Sequence, residues 1–279
     1  MDVSESGVTY PAVAVERGKT QVVELLADLM MLSCNNVSDS GESILAIAVQ
    51  RGFKMFRRVL DLGVDARLKG RNGRSAVREA ARVAGRAGRL NLMLGRLSLR
   101  ELGRALNDRD ERGLTPLHWA AEESNAAALN LLIGYGADVS VRNYNGYTPL
   151  DILAQKIYDC RTYSPSRYLL KAYHVLANHV AKLVAMGAHG GEENKDNLSA
   201  KVINLIPVNK QEVQTMQTYR VGETNITALK LYLMSNLGFL LKMHIQTMVH
   251  HISSKSFIRD LPYYGKLIRL RLPKLKPVF

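Results

Sequence analysis

The histidines are the first residues of this 279-residue chain whose types and spacing suggest chemistry. His250 and His251 are adjacent in a stretch with helical periodicity, and adjacent helical residues point about 100° apart, so they cannot share one metal-ligand face. His118 has neither a serine and an aspartate in catalytic order nor the spacing of an HExxH zinc site. The sequence therefore predicts no catalytic residue, no metal site and no cofactor, and hence a protein that is not an enzyme.

Regularly spaced arginines are the second chemical feature. Residues 67–104 hold 11 basic side chains against only two acidic ones, and several arginines recur every four residues, which predicts one helical face. The predicted basic patch consists of Arg74, Arg78, Arg82 and Arg86. Such a face is either solvated or binds an acidic protein segment, a phosphoinositide headgroup or nucleic acid. The stretch has no aromatic side chain for base stacking, which disfavours single-stranded nucleic acid.

A second basic segment lies at the C-terminal end. Its basic side chains alternate with leucine and isoleucine, and they are Lys266, Arg269, Arg271, Lys274 and Lys276. Pro273 and Pro277 interrupt a helix here, which disfavours a long amphipathic membrane helix. The segment either packs its leucines on the last helix or binds anionic lipid, nucleic acid, an acidic protein groove or a nuclear import receptor.

The overall composition is that of a folded intracellular protein. An apolar content of 47% with 23% charged residues argues against global disorder. The net charge of +13 is uneven, because residues 1–150 hold 20 basic and 17 acidic side chains and residues 151–279 hold 18 and 8. Cys34 and Cys160 have no metal-like spacing, which favours a reducing compartment, the cytoplasm or nucleus. No signal peptide is predicted, and the longest uncharged apolar run, Leu231–Leu241, is too short to span a bilayer.

The stretch from Gly113 to Asn145 organises the rest of the chain. It begins GLTPLHWAA, in which Thr115 can cap a helix that has Pro116 in its first turn, and a pair of alanines allows two helices to pass closely. An apolar second helix follows, and Gly136 can end it in a left-handed conformation. The motif T-P-L-H-x-A inside a 33-residue unit resembles the ankyrin repeat. The resemblance implies that His118 is a structural hydrogen-bonding residue that ties neighbouring repeats together.

Further units of the same kind surround this one. Glycines at comparable positions, spaced 34, 32, 40 and 33 residues apart, are Gly7, Gly41, Gly73, Gly113 and Gly146. Ser43 is the predicted cap in the second unit. The third unit, Gly73–Arg112, lacks the proline and histidine and carries about seven residues beyond the period. The fifth has Asp151 in place of the histidine, and its second helix is predicted at Val180–Met186, after an insertion over Gln155–Asn178.

The resemblance also implies where partners bind, because ankyrin proteins use the turn tips and the inner helix face. The matching positions are Glu111, Arg112, Leu114, Glu122, Glu123, Tyr144, Asn145 and Tyr147, with Gln155 and Lys156 in the next helix. Exposed tyrosines in turns fit an interface because they offer a large contact area at low entropic cost. The single tryptophan, Trp119, is expected to be buried between helices rather than to bind a partner.

The predicted fold is all-α. It is an ankyrin-repeat solenoid of about five repeats over residues 1–191, followed by a basic helical C-terminal segment of no recognised family, residues 192–279. Helices are predicted there at Lys201–Gln217 and Ile226–Ile252. Degenerate repeats joined to such a segment also resemble effectors of host-associated bacteria and viral ankyrin proteins.

The predicted function is a non-catalytic protein–protein interaction scaffold whose partner carries an acidic surface. Two alternatives stay open at this point. In one, the basic C-terminal segment and the arginines bind an anionic membrane surface or nucleic acid. In the other, the chain is an enzyme with an active site in residues 192–279.

Overall fold

A computed structural model describes residues 10–28, 38, 41–65, 68–70, 73, 75–160, 165–188, 191, 194, 210–221, 227–233, 252 and 254–261. The helices of the N-terminal part are α1 (Tyr10–Glu16), α2 (Thr20–Asp28), α3 (Ile44–Arg51), α4 (Phe53–Asp61), α5 (Ala76–Arg82), α6 (Ala87–Leu94), α7 (Leu99–Leu106), α8 (Pro116–Glu122), α9 (Ala126–Gly134), α10 (Pro149–Asp159) and α11 (Arg167–Ala185). After them come α12 (Lys210–Thr218), α13 (Ala228–Leu233) and α14 (Lys255–Asp260). These described residues contain no strand, only two isolated bridges.

The helices stack as a solenoid of pairs. The first helices of the pairs, α1, α3, α5, α8 and α10, contact one another in that order and form what we call the inner row. The second helices α4, α6, α9 and α11 form a second row, and each helix also contacts the other member of its own pair. This arrangement confirms the predicted all-α ankyrin-type solenoid.

Hydroxyl caps fix where the inner helices begin. Each cap side chain accepts a hydrogen bond from the backbone N–H three residues on, and the capping residues are Ser43, Ser75, Thr115 and Thr148. Such a bond satisfies one of the N–H groups that a helix start leaves without an intrahelical partner. The caps of α8 and α10 are each followed by a proline at the first helical position, where its missing N–H costs nothing. The predicted caps Ser43 and Thr115 are therefore confirmed.

One continuous apolar core runs through the solenoid, from Ala14 to Leu183. The predicted alanine pair in α8, Ala120 and Ala121, is fully buried, which lets α8 pack closely against its neighbours. A second cluster joins the end of α11 to α12, α13 and α14 and includes Phe257, which is also fully buried. The proposed division of the chain at residue 191 stays a prediction.

The two irregular units depart from the repeat in different ways. The third unit carries the predicted surplus residues, and its extra length includes the additional helix α7 (Leu99–Leu106). In the fifth unit the second helix does not begin at Val180, since α11 is continuous from Arg167 to Ala185. Its buried residues Leu169, Ala172, Leu176 and Val180 recur at helical spacing, so one apolar stripe holds the whole helix against the core.

The predicted C-terminal helices are described only in part. Helix α12 covers the second half of the predicted Lys201–Gln217, and α13 covers part of the predicted Ile226–Ile252; residues 201–209, 226 and 234–251 lie outside the described residues. Among the described helices, none is both long and apolar enough to cross a membrane.

Candidate interaction surface

His118 is a buried tie between two repeats. Its Nδ1 lies 3.2 Å from the amide nitrogen and 2.8 Å from the hydroxyl oxygen of Thr115, and its Nε2 lies 3.0 Å from the carbonyl oxygen of Tyr147 in the next turn. The neutral tautomer with hydrogen on Nε2 satisfies all three contacts. Burial lowers the pKa of His118 to about 4, so the ring is uncharged at neutral pH. This geometry confirms the predicted structural role of His118.

Asp110 is the centre of a hydrogen-bonded cluster that joins the third and fourth units. Its carboxylate accepts bonds from Arg78 Nη1 (3.2 Å), from Trp119 Nε1 (2.9 Å) and from the backbone N–H groups of Arg112 and Leu114 (2.9 Å each). Burial acts to raise the pKa of Asp110, but these bonds and the charge of Arg78 lower it overall. A charged carboxylate with four donors holds the turn before α8 in one conformation.

Trp119 is half-buried and is flanked by two arginines. The guanidinium carbon of Arg78 lies 5.0 Å from the ring centroid and that of Arg112 lies 4.8 Å from it, both within range of a cation–π interaction. Trp119 is therefore covered only in part, and it contacts two arginines as well as the carboxylate of Asp110. The indole supports the arginine of the turn tip, and Arg112 also donates from Nη2 to Glu122 Oε2 over 3.2 Å.

Arg82 and Arg86 of the predicted basic patch serve a buried carboxylate. Glu79 is only 1% exposed and accepts two bonds from Arg82, of 3.3 Å and 3.1 Å. Arg86 Nη1 lies 3.6 Å from the same carboxylate, and Arg82 Nη1 lies 3.8 Å from Glu123 Oε1. Glu79, one of only two acidic side chains in residues 67–104, therefore lies within ion-pair distance of two arginines of the predicted patch.

Other arginines of the third unit bind backbone carbonyls. Arg89 donates to the carbonyl oxygen of Val49 in the last turn of α3, and Arg96 donates to that of Leu60 in the last turn of α4 (3.0 Å). Carbonyls at a helix end have no intrahelical partner, so these contacts act as caps supplied by the next repeat. Arg96 also pairs with Asp61.

The predicted single basic helical face is wrong. Helix α5 ends at Arg82 and Arg86 precedes α6, while Arg78 is 5% exposed and paired with Asp110. Arg74 and the tail residues Lys266, Arg269, Arg271, Lys274 and Lys276 lie outside the described residues.

Two exposed tyrosines mark the turn before α10. Tyr144 is 69% exposed and Tyr147 is 49% exposed. The amide of Tyr144 donates to the carbonyl oxygen of Arg112 over 3.1 Å, which joins this turn to the preceding one. A Cβ added at Gly113 would lie 2.8 Å from Cδ1 of Tyr144, so the tyrosine ring lies directly on this glycine. Gly113 has a φ of +74°, a conformation that other residues rarely adopt. This turn therefore requires both the positive φ of a glycine and the absence of a side chain beneath the Tyr144 ring.

The structure brings most of the predicted partner-binding residues to the surface around these two turns. Those that are exposed or half-buried are Glu111, Arg112, Glu122, Glu123, Tyr144, Asn145, Tyr147, Gln155 and Lys156. Leu114 is an exception at 1% exposed, and its amide is tied to Asp110. The prediction that Leu114 contributes to a contact surface is therefore wrong, because its side chain is buried.

A polar groove separates α9 and α11 from α13. It is a cavity of about 560 Å³ whose lining includes Asn130, His179, Lys182 and Tyr232. Burial lowers the pKa of His179 to about 4, and Lys182 adds to the shift. Within the residues that the structure describes, no three His, Cys, Asp or Glu side chains come together as metal ligands would.

Comparison with known proteins agrees with the repeat geometry. Residues 99–153, from α7 into α10, match the family model of ankyrin repeats in many copies. The chain is 35% identical over 106 residues to alpha-latrotoxin-Lh1a of Latrodectus hasselti, a match that covers 38% of this chain and 8% of the toxin. It is 39% identical over 57 residues to ankyrin repeat and MYND domain-containing protein 1 of Mus musculus, covering 20% of this chain and 6% of that protein.

A third relative matches over a longer stretch. It is the transient receptor potential cation channel subfamily A member 1 homolog of Caenorhabditis elegans, 27% identical over 167 residues, which are 60% of this chain and 12% of the channel. The chain spans only a small part of each of these relatives, between 6% and 12% of their lengths. The resemblance to effector proteins stays a prediction.

The repeat motif, the stacked helix pairs, the hydroxyl caps, the histidine tie and the family match all agree. The chain therefore contains ankyrin repeats, which the family model matches over residues 99–153.

Proposed function

We propose that this protein is a non-catalytic scaffold that holds a partner protein against the turn tips and the inner row of helices. Ankyrin repeats generally mediate protein–protein interaction. The observation that carries the proposal for this chain is the pair of exposed tyrosines, Tyr144 and Tyr147, in a turn that is fixed by hydrogen bonds. Aromatic side chains that are held in place yet exposed to water favour contact with another protein.

The hydrogen bonds around these tyrosines support a preformed surface. The carboxamide oxygen of Asn143 accepts bonds from the amides of Asn145 and Tyr147, each of 3.0 Å, so the turn holds its own shape. Arg142 donates to the carbonyl oxygen of Gly146 over 2.6 Å and lies 3.7 Å from Asp151. A surface that is ordered before binding loses less conformational entropy when a partner docks.

The arginines of α5 in the inner row are paired within the protein. Arg78 and Arg82 each lie within 4 Å of a carboxylate, as does Arg112 in the turn before α8. A strongly acidic partner for this row is therefore not required by charge balance. The proposal that an anionic lipid or nucleic acid is bound rests instead on the basic residues of the tail, 266–276.

The compartment is part of the proposal as well. We place the protein in the cytoplasm or nucleus, because its two cysteines have no metal-like spacing and Cys160 is a free thiol.

Affinity purification from a cell extract tests the scaffold function. The full chain and the double variant Tyr144→Ala/Tyr147→Ala are used as baits, and retained proteins are identified by mass spectrometry. We expect a specific set of proteins to be lost with the double variant while its melting temperature stays nearly unchanged, because both side chains are exposed.

Tyr168→Ala is the matched control. This tyrosine is 77% exposed and lies in the first turn of α11. Helix α10 separates it in the chain from Tyr144 and Tyr147. A bait that retains no specific protein, or one whose set is the same with the double variant as with the unchanged chain, would contradict the proposed surface.

A further inference from the structure

Arg112 has hydrogen-bonding capacity that the protein does not use. A guanidinium group carries five N–H donors, and the described residues supply one side-chain acceptor, Oε2 of Glu122 at 3.2 Å. The Arg112 side chain is 58% exposed, and that of Glu122 is 29% exposed. An exposed pair of this kind is held weakly, so a carboxylate from another molecule can share or replace it.

The guanidinium is nevertheless fixed in position. It lies 4.8 Å from the centroid of the Trp119 ring, and that ring is anchored by its bond to Asp110. The backbone of Arg112 is held as well, because its amide donates to Asp110 and its carbonyl accepts from the amide of Tyr144. An arginine ordered in this way binds a carboxylate with little further loss of side-chain freedom.

A fixed apolar surface lies in the next turn. The ring of Tyr144 rests on Gly113, the residue after Arg112, and is 69% exposed. One ordered cation and one ordered aromatic side chain therefore extend from Arg112 and Tyr144, two residues whose backbones are hydrogen-bonded to each other at the tips of consecutive repeats. A cation beside an aromatic surface can bind an extended peptide segment in which one residue is acidic and a neighbouring residue is apolar.

We infer that Arg112 and Tyr144 form a preformed two-point site for an acidic peptide segment of the partner. The inference rests on the proposed scaffold function. A carboxylate of the segment binds the free N–H groups of Arg112, and an adjacent aliphatic or aromatic side chain packs on Tyr144. Glu111 precedes Arg112 and is exposed, and Glu122 pairs with Arg112, so a run of acidic residues would meet negative charge beside the site. The segment therefore carries one acidic residue at this point.

Selection of displayed peptides on the full-length protein tests this inference. Random dodecapeptides on phage are enriched on the immobilised chain, and single enriched peptides are then titrated by fluorescence polarisation. We expect one Asp or Glu beside a bulky apolar residue in the enriched sequences. Arg112→Ala and Tyr144→Ala should each weaken binding by about tenfold or more.

Three further variants test whether the effects are specific to the proposed site. Glu122→Gln should strengthen binding about two- to threefold, because it removes a competing carboxylate. Arg104→Ala and Tyr168→Ala are matched controls at exposed positions on α7 and α11, and each should change affinity less than about twofold. Circular dichroism of each variant confirms that it is folded.

The outcomes distinguish this inference from the proposed function. Enriched peptides without acidic residues, or an Arg112→Ala variant that binds as the Arg104→Ala control does, overturn the two-point site but leave the scaffold function standing. Weaker binding of Glu122→Gln likewise overturns it, since it would mean that the partner is basic. If no peptide is enriched over the bare support, the scaffold function is contradicted and the inference with it.

Discussion

Acidification is expected to destabilise the protein through His118. The folded protein keeps this ring neutral, because burial lowers its pKa from 6.5 to about 4, whereas the unfolded chain binds a proton near pH 6.5. The unfolded state therefore gains protons first as the pH falls. Stability is complete above pH 6.5 and declines between 6.5 and about 4. The shift corresponds to roughly 3 kcal/mol over the whole window, of which roughly 1.5 kcal/mol falls between pH 6.5 and 5.

Urea unfolding followed by circular dichroism measures this loss. The free energy of unfolding is determined at several pH values from 7.5 to 5, above the range where most carboxylates titrate. His118→Gln should be less stable than the unchanged chain at neutral pH, because the tie to Tyr147 is weakened. Its free energy should also fall less steeply with acidification.

His179 provides the comparison, because its pKa is also lowered and it should add to the slope. Equal slopes for His118→Gln and the unchanged chain would refute the assignment of His118 as a neutral buried ring.

Two other predictions concern the basic residues. Arg78→Met should lower the free energy of unfolding by about 2–4 kcal/mol, because it leaves the carboxylate of Asp110 buried without its cation, whereas Arg104→Met at an exposed site should cost under about 0.5 kcal/mol; similar losses in urea unfolding would contradict the ion pair as a stabilising contact. Deleting residues 262–279 should abolish sedimentation with anionic lipid vesicles at low salt, since each basic residue near such a surface contributes about 1 kcal/mol. If the full and shortened chains sediment alike, the tail is not a lipid-binding segment.

The sequence alone predicted those features of the structure that depend on residues close together in the chain. Thr115 caps the N–H of His118 three residues on, and the same arrangement recurs at Ser43 and Thr148. Such caps are readable because they follow from residue type and a fixed offset. The surface positions of Tyr144 and Tyr147 were predicted in the same way, from their places in the repeat motif.

The roles of the arginines could not be predicted in this way. The acceptors of Arg89 and Arg96 are backbone carbonyls 40 and 36 residues earlier in the chain. Every residue has a carbonyl, so no sequence pattern marks those that serve as acceptors. Asp110 was missed as well, although an acidic residue before the turn glycine can accept from the following amides, and that local signal was present.

The third unit shows how an ankyrin repeat can lose its motif and keep its stacking. Arg78 stands where His118 stands in the fourth unit, and each reaches from its own helix to the following turn: Arg78 to the carboxylate of Asp110, His118 to the carbonyl of Tyr147. Arg89 of α6 and Arg96, which follows that helix, add contacts in the other direction, to the preceding pair of helices α3 and α4.

Some residues near the proposed binding site also stabilise the fold, so their variants cannot measure binding alone. Asp110 and Trp119 hold Arg112 in place and also join two repeats, so their substitution would change stability and binding together. Arg112 and Tyr144 extend from that cluster into solvent, and their side chains can be shortened without uncovering buried charge. A loss of binding in these two variants, at unchanged melting temperature, is therefore the result that separates recognition from folding.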